Sequence, residues 1–223
     1  MECVAYGVGS PFVEELLEIV LRLGWDVRGG VANVETDYRP IDLASIVSGD
    51  EIPADWLPLP AVVPLVTPGF RWQVEQEAIQ RGFRAFATAV DPTASIASTS
   101  SLGEGTIICA GALVGARAVL GRLACVNKGA IVGHHDELAD YVTLGPGATL
   151  CGNVSIATGA FVGAGAVVNH KISIGANAVV GSGSLVRRDV PEHTLVAGNP
   201  AKVIAEVAGY NDVGVSERLT ADG

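Results

Sequence analysis

From Ile96 to Val186 every sixth residue is aliphatic, sixteen positions in succession without a miss. Two places before each stands a small residue in most hexads, as at Ala112, Ala118, Ala124, Ala130, Ala148 and Ala160. Glycine often follows, as at Gly115, Gly133 and Gly145. A helix repeats every 3.6 residues and a strand every two, so a sustained period of six belongs to neither alone. It fits a parallel β-helix of triangular section, in which each hexad makes one short face and its aliphatic side chain points inward. Small residues then pass through the tight corners. Three hexads close a coil, so sixteen hexads give about five coils, stacked at the usual strand spacing of roughly 4.8 Å.

Residues 1–89 read differently. "CVAYG" and "AVVPLV" are short apolar strand candidates, while "PFVEELLEIVLRLG" and "GFRWQVEQEAIQRG" carry helical spacing. In the first of these, Phe12, Leu16, Leu17, Val20 and Leu23 recur at steps that keep them on one face. Ser10 suits the N-cap, Pro11 the first helical position and Gly24 the C-terminal stop. Alternating strands and helices predict a small parallel sheet. The stretch 33–60, rich in Asp, Pro and Ser, receives no assignment. The expected organisation is thus an α/β N-terminal subdomain (1–89) followed by a parallel β-helix (90–204) and a polar, mobile tail (205–223).

The net charge of −10 argues against nucleic-acid partners and anionic membranes, which lean on basic surface. No apolar run approaches the roughly 18 residues of a bilayer span, so no membrane insertion is expected. "MECVAYGVG" lacks the basic and apolar regions of a signal peptide, and a cytoplasmic protein is the expectation. Cys3, Cys109, Cys125 and Cys151 form no C-x-x-C pair, which suggests neither a zinc site nor a disulfide framework.

Two adjacent histidines interrupt the repeat in "IVGHHDELADYVTLGPG". His134 lies two places after the inward Val132. Its vertical column, one residue per coil, reads Ser98, Ala116, His134, Gly152, His170 and Arg188. An imidazole projecting between alanine and glycine borders a groove suited to an elongated ligand.

"NKGAIVGHHDELADYVTLGPGATLCGNVSIATGAFVGAGAVV" and the closing "VAGNPAKVI" resemble the hexapeptide-repeat sugar acetyltransferases that act on bacillosamine, perosamine or sialic acid. The resemblance is specific over about 92–204. It implies a left-handed β-helix, acetyl-CoA as co-substrate, and a homotrimer with the cofactor in a groove between neighbouring helices. The family pattern V-G-H-D-C-V-I-G-D-F aligns without a gap on "VGHHDELADY", which places the general base on His134. Imidazole suits that task because its ordinary pKa of about 6.5 leaves it largely neutral at pH 7. A backbone N–H near Gly152 would meet the thioester oxygen as it becomes negative.

The acidic residue that follows the family's base is His135 here. Either Asp136 replaces it as the group orienting His134, or His135 does so through its neutral tautomer. Thr143 stands where the family often has a cofactor-contacting histidine, and Ala164 and Ser182 where it contacts the cofactor through backbone. Lys202 of "GNPAK", with Arg187 and Arg188, is placed to meet the cofactor's phosphates. In the amino-terminal half, Gly9, Ser10 and Pro11 of "YGVGSPF" fall on the turn that cradles the sugar nucleotide. Asn33 falls at the family's acidic pair after the second strand, and Val66 and Thr67 at its later Gly-Asn.

The function implied is acetyl transfer to an amino group of a nucleotide-linked amino sugar, with O-acetylation of a sialic-acid-type hydroxyl as the alternative. A non-catalytic trimeric scaffold is the competing class. A zinc enzyme is disfavoured, since His134 and His170 sit two coils apart, roughly 9.6 Å, beyond the reach of one ion.

Overall fold

The computed structural model describes residues 1–34, 38, 40, 43 and 45–209. Its amino-terminal half is a four-stranded, wholly parallel sheet of β1 (Glu2–Tyr6), β2 (Asp26–Ala32), β3 (Ile46–Ser48) and β4 (Ala61–Val62), in the order β3-β2-β1-β4. Helices α1 (Phe12–Arg22) and α2 (Pro68–Arg81) follow β1 and β4. The small parallel sheet therefore forms as the strand–helix alternation requires. α1 starts one residue later than expected, with Pro11 at the cap and the Phe12 amide donating to Ser10 Oγ at 3.4 Å. Gly24, at φ +66°, ends it.

β2 and β3 escaped the sequence reading for a physical reason. β2 reads "DVRGGVA", and glycine is a poor strand former. Here it is required: a Cβ on Gly29 would lie 2.3 Å from the Trp56 ring, and one on Gly30 2.7 Å from Leu43. Packing against the sheet face, invisible in local sequence, decides the strand.

From Ala89 onward the chain winds as a β-helix with two-residue rungs on three faces. Register is one coil throughout, as in Leu120↔Leu138↔Ile156 and Cys125↔Thr143↔Phe161. The fold matches the left-handed β-helix. Sixteen hexads give six rungs on one face, Ser95–Ile96 through Leu185–Val186, and five on each of the others, one of which also carries Ala89–Val90 before them and Thr194–Gly198 and Ala201–Glu206 after them. The inward aliphatic residues and the alanines two places before them form one continuous core. From Gly105 to Gly183 each corner passes through a left-handed residue: glycine at Gly129, Gly147 and Gly165, but Arg117, His135, Tyr141 and Asn153 elsewhere.

An antiparallel pair, Thr194–Gly198 with Ala201–Glu206, joins the rung Val179–Val180 and closes the end of the prism, with Asn199 and Pro200 at its turn. The strand runs to Glu206, two residues past the expected boundary of 204. Of the tail expected to be mobile, 210–223 lies outside the described residues.

The α/β half lies on a single face of the prism. α1 packs on Ala89, Ile107 and Cys109, and α2 on Phe86, Leu123 and Tyr141. Between them the Arg71 guanidinium, fully buried, donates to the carbonyls of Leu65, Val66, Leu123, Tyr141 and Val142. Burial lowers it to about 10, so it stays cationic at neutral pH. Glu75, one helical turn further, pairs with Arg122 and accepts the Tyr141 hydroxyl. No helix among the described residues is long and apolar enough to cross a membrane.

Candidate active site

The corner of residues 133–136 follows the rung Ile131–Val132 and turns through His135 at φ 58°. Histidine tolerates that region better than bulky or branched residues, though not without strain. The left-handed turn throws the His135 ring sideways onto its neighbour. His134 Nδ1 and His135 Nδ1 lie 3.1 Å apart, with the rings nearly perpendicular at 87°. Both side chains are exposed.

The His134 ring lies over the gap that Gly152 leaves in the next coil. A Cβ on Gly152 would lie 2.9 Å from His134 Nε2, so glycine in the next coil is what lets the imidazole lie flat over that backbone. Gly152 also holds φ +97°, which side-chain-bearing residues rarely adopt. Among the described residues the Gly152 N–H donates to no protein acceptor. The exposed imidazole thus lies with its Nε2 edge against the buried Gly152 backbone.

Asp136 is engaged by backbone amides rather than by a ring. It is fully buried in the inward small-residue position, and its two oxygens accept the amides of Gly133 at 2.6 Å and Val154 at 2.8 Å. Burial raises its carboxyl above the ordinary range, opposed by those two amides and then by His134. The carboxylate staples two coils together beneath the histidines. The direct partner of the His134 ring is His135.

The remaining expected site residues divide among different corners. Ala164 and Ser182 are exposed and stack one coil apart on the corner across the six-rung face from His134. Among the described residues their amides donate to no protein acceptor. Arg187, Arg188 and Lys202 come together around a cavity of about 520 Å³ at the carboxyl end of the prism. Thr143 requires a correction: it is buried beneath the α/β half, and its hydroxyl donates to the Val66 carbonyl at 2.6 Å. It faces the seam between the halves, because its face is the one the sheet covers.

Gly9, Ser10 and Pro11 follow β1, and Asn33 follows the adjacent β2, so all four sit at the carboxyl edge of the parallel sheet. The Gly7 and Val8 amides close that edge by donating to the Val31 carbonyl at 2.9 and 3.2 Å. The strand order reverses direction between β1 and β4. Open parallel sheets bind ligands in the crevice at such a switch point. Leu65, in the loop after β4, packs beside Gly7 there.

Sequence reasoning missed Arg71 and Glu75. The signal existed: two charges four residues apart share the buried stripe of α2 with Val74 and Ala78. Charges in an apolar stripe mark a buried polar contact. Among the described residues no three His, Cys, Asp or Glu side chains converge as a metal would need.

A triangular β-helix carrying an exposed imidazole over a glycine in the adjoining coil defines a hexapeptide-repeat acyltransferase. No family model matches the chain, and no curated protein matches it by sequence. Solved structures do. PerB from Caulobacter crescentus, crystallised with CoA and GDP-perosamine, matches with TM-score 0.81 at 30% identity, over 91% of this chain and 97% of that one. A variant of the GDP-perosamine N-acetyltransferase from the same organism, also with CoA and GDP-perosamine, gives TM-score 0.80 at 30% identity, over 92% and 97%. The acetyltransferase domain of PglB from Neisseria gonorrhoeae, with acetyl coenzyme A, gives 0.81 at 24% identity over 91% and 98%, which speaks for the fold. The chain belongs to the hexapeptide-repeat sugar acetyltransferases.

Proposed function

We propose that the chain transfers the acetyl group of acetyl-CoA to the amino group of a nucleotide-linked amino sugar, with His134 as general base. The observation that carries this reading is the exposed His134 imidazole lying with Nε2 over Gly152 of the next coil. As the amine attacks the thioester carbon, its proton passes to Nε2. The carbonyl oxygen becomes negative next to the Gly152 N–H, the C–S bond breaks, and the CoA thiolate leaves to take up a proton. CoA and GDP-perosamine in the two similar Caulobacter structures support the donor and the class of acceptor.

His135 is the orienting residue in this reading. Only one of the two facing Nδ1 atoms carries a hydrogen in the productive state. When His134 Nδ1–H donates to His135 Nδ1, the His134 lone pair is left on Nε2, toward the substrate. The neutral neighbour thereby performs the tautomer selection that a carboxylate performs elsewhere.

The site is composite. The α/β half covers the face opposite the histidine corner, so the acceptor crevice of one chain does not face its own His134. The outward residues of the six-rung face beside His134 are apolar at Leu113, Ile131, Val167 and Leu185, a surface suited to packing against a copy. A homotrimer brings the base of one copy to the crevice of another, with Ala164, Ser182 and the Arg187–Arg188–Lys202 cluster along the cofactor's path. Such an enzyme works in the cytoplasm, where acetyl-CoA and nucleotide sugars are available.

The test is purified full-length protein with acetyl-CoA and a panel of UDP-, GDP- and dTDP-linked 4-amino sugars, followed by CoA release and product mass. A mass gain of one acetyl group on the amine, lost in His134→Ala, is expected. Turnover undiminished in His134→Ala would sink the assignment of the base, and sedimentation as a monomer would sink the composite site.

A further inference from the structure

The Val66 carbonyl accepts two side-chain hydrogen bonds at once, from Arg71 Nη1 at 2.5 Å and from Thr143 Oγ1 at 2.6 Å. The same Nη1 holds the Leu65 carbonyl at 3.0 Å. The rest of that guanidinium is spent on the prism: Nε on the Leu123 carbonyl at 2.8 Å, and Nη2 on Tyr141 at 2.5 Å and Val142 at 3.3 Å. Leu123 and Tyr141 are equivalent corners of successive coils, so one planar fork joins the loop after β4 to two coils of the β-helix.

That loop lines the crevice between β1 and β4, with Leu65 against Gly7. A fully buried guanidinium is an expensive way to glue two surfaces. Replacing buried ionic groups by well-packed apolar side chains is often neutral or stabilising. What the fork and hydroxyl supply, and an apolar contact lacks, is a fixed direction and register.

We propose that Arg71 and Thr143 are positioning residues that lock the 63–67 loop onto the prism and so set where the acceptor amine stands. This rests on the acetyl-transfer reading above. The base that the acceptor meets sits on a second copy, so alignment between them runs entirely through the packed prisms. The two bonds to Val66 are the last link of that chain. A loop free to shift by an ångström would still bind acceptor but would present the amine off line.

The experiment uses Thr143→Val, Thr143→Ser and Arg71→Lys in the full-length assembled protein. Thr143→Val keeps shape and removes one donor; Thr143→Ser keeps the donor. Thr143→Val is expected to lower kcat/KM for the acceptor by about 3- to 10-fold, the size of one lost hydrogen bond at a buried carbonyl. The KM for acetyl-CoA should stay within about twofold, and Thr143→Ser should restore the acceptor parameters. Arg71→Lys should show a larger loss in the same direction. Hydrogen exchange at the amides of Val63, Leu65, Val66 and Thr67 should quicken in Thr143→Val and in Arg71→Lys.

Acceptor kinetics unchanged in Thr143→Val, or an equal change in the acetyl-CoA KM, would overturn the positioning role. Exchange left unchanged at those four amides would overturn the clamp itself. A wild-type protein that acetylates no amino sugar would instead overturn the acetyl-transfer reading, so the failures are told apart.

Discussion

His135 and Tyr141 occupy the same place in consecutive hexads, at left-handed corners with φ 58° and 61°. Their local geometry is nearly identical and their use is opposite. The His135 corner stands open, and among the described residues its ring meets the neighbouring imidazole. The Tyr141 corner lies under α2, where its hydroxyl meets Glu75 and its carbonyl meets Arg71. A β-helix is locally uniform, so what distinguishes one corner from the next is what covers it. The uncovered corner keeps a polar side chain free for chemistry, and the covered one spends it on joining two halves.

The largest expected effect falls on the open corner. His134→Ala should lower kcat by about 10²–10⁴, the usual worth of a general base, while the thermal midpoint barely moves because the side chain is exposed. The covered corner should show the reverse. Glu75→Ala removes the acceptor of the buried Tyr141 hydroxyl and one partner of Arg122, which keeps Glu104, and should cost about 1–3 kcal/mol in denaturant unfolding. Any loss of turnover should follow from that instability.

Gly152→Ala comes next. Its Cβ would press on His134 Nε2 at 2.9 Å, so kcat should fall about tenfold or more as the ring is displaced. Glycine at each of the two corners sharpens the contrast further. His135→Gly relieves a left-handed side chain and should gain up to about 1 kcal/mol of stability while slowing turnover. Tyr141→Gly relieves the same strain but should lose stability overall, since it empties a buried site.

The smallest effect concerns pH. Asp136 has a raised folded-state pKa, caused first by burial. Its stabilising contribution is therefore full below the unfolded-chain value and is lost as pH rises through the folded one. The stability gap between wild type and Asp136→Ala should narrow as pH is raised from about 4, measured by unfolding at a series of pH values. A gap that widened would mean the two amide bonds outweigh the desolvation of the carboxylate.

The β-helix was legible almost residue by residue because its core needs one inward side chain per hexad, and a side chain facing a narrow, continuous interior has no substitute for being aliphatic. The place of His134 was legible for the same reason: once the period is known, the vertical neighbours Ala116 and Gly152 follow from counting. Thr143 was assigned to the cofactor by resemblance, and a matching family position does not show what covers the residue. The loop that covers it, at Val66, comes from a part of the chain far away in sequence. β2 was missed for a related reason, since Gly29 and Gly30 answer to Trp56 and Leu43 rather than to any local strand preference.

By itself the sequence determined the prism, its register and the imidazole above a glycine, because a period of six leaves only one way to hide that many aliphatic side chains. Only the tertiary structure decided which of Asp136 and His135 touches the His134 ring, and that Arg71 joins the halves. Those outcomes depend on directions and distances between side chains: a carboxylate already held by two amides has no oxygen directed at the ring, and a guanidinium finds its carbonyls only when two coils and a loop meet around it.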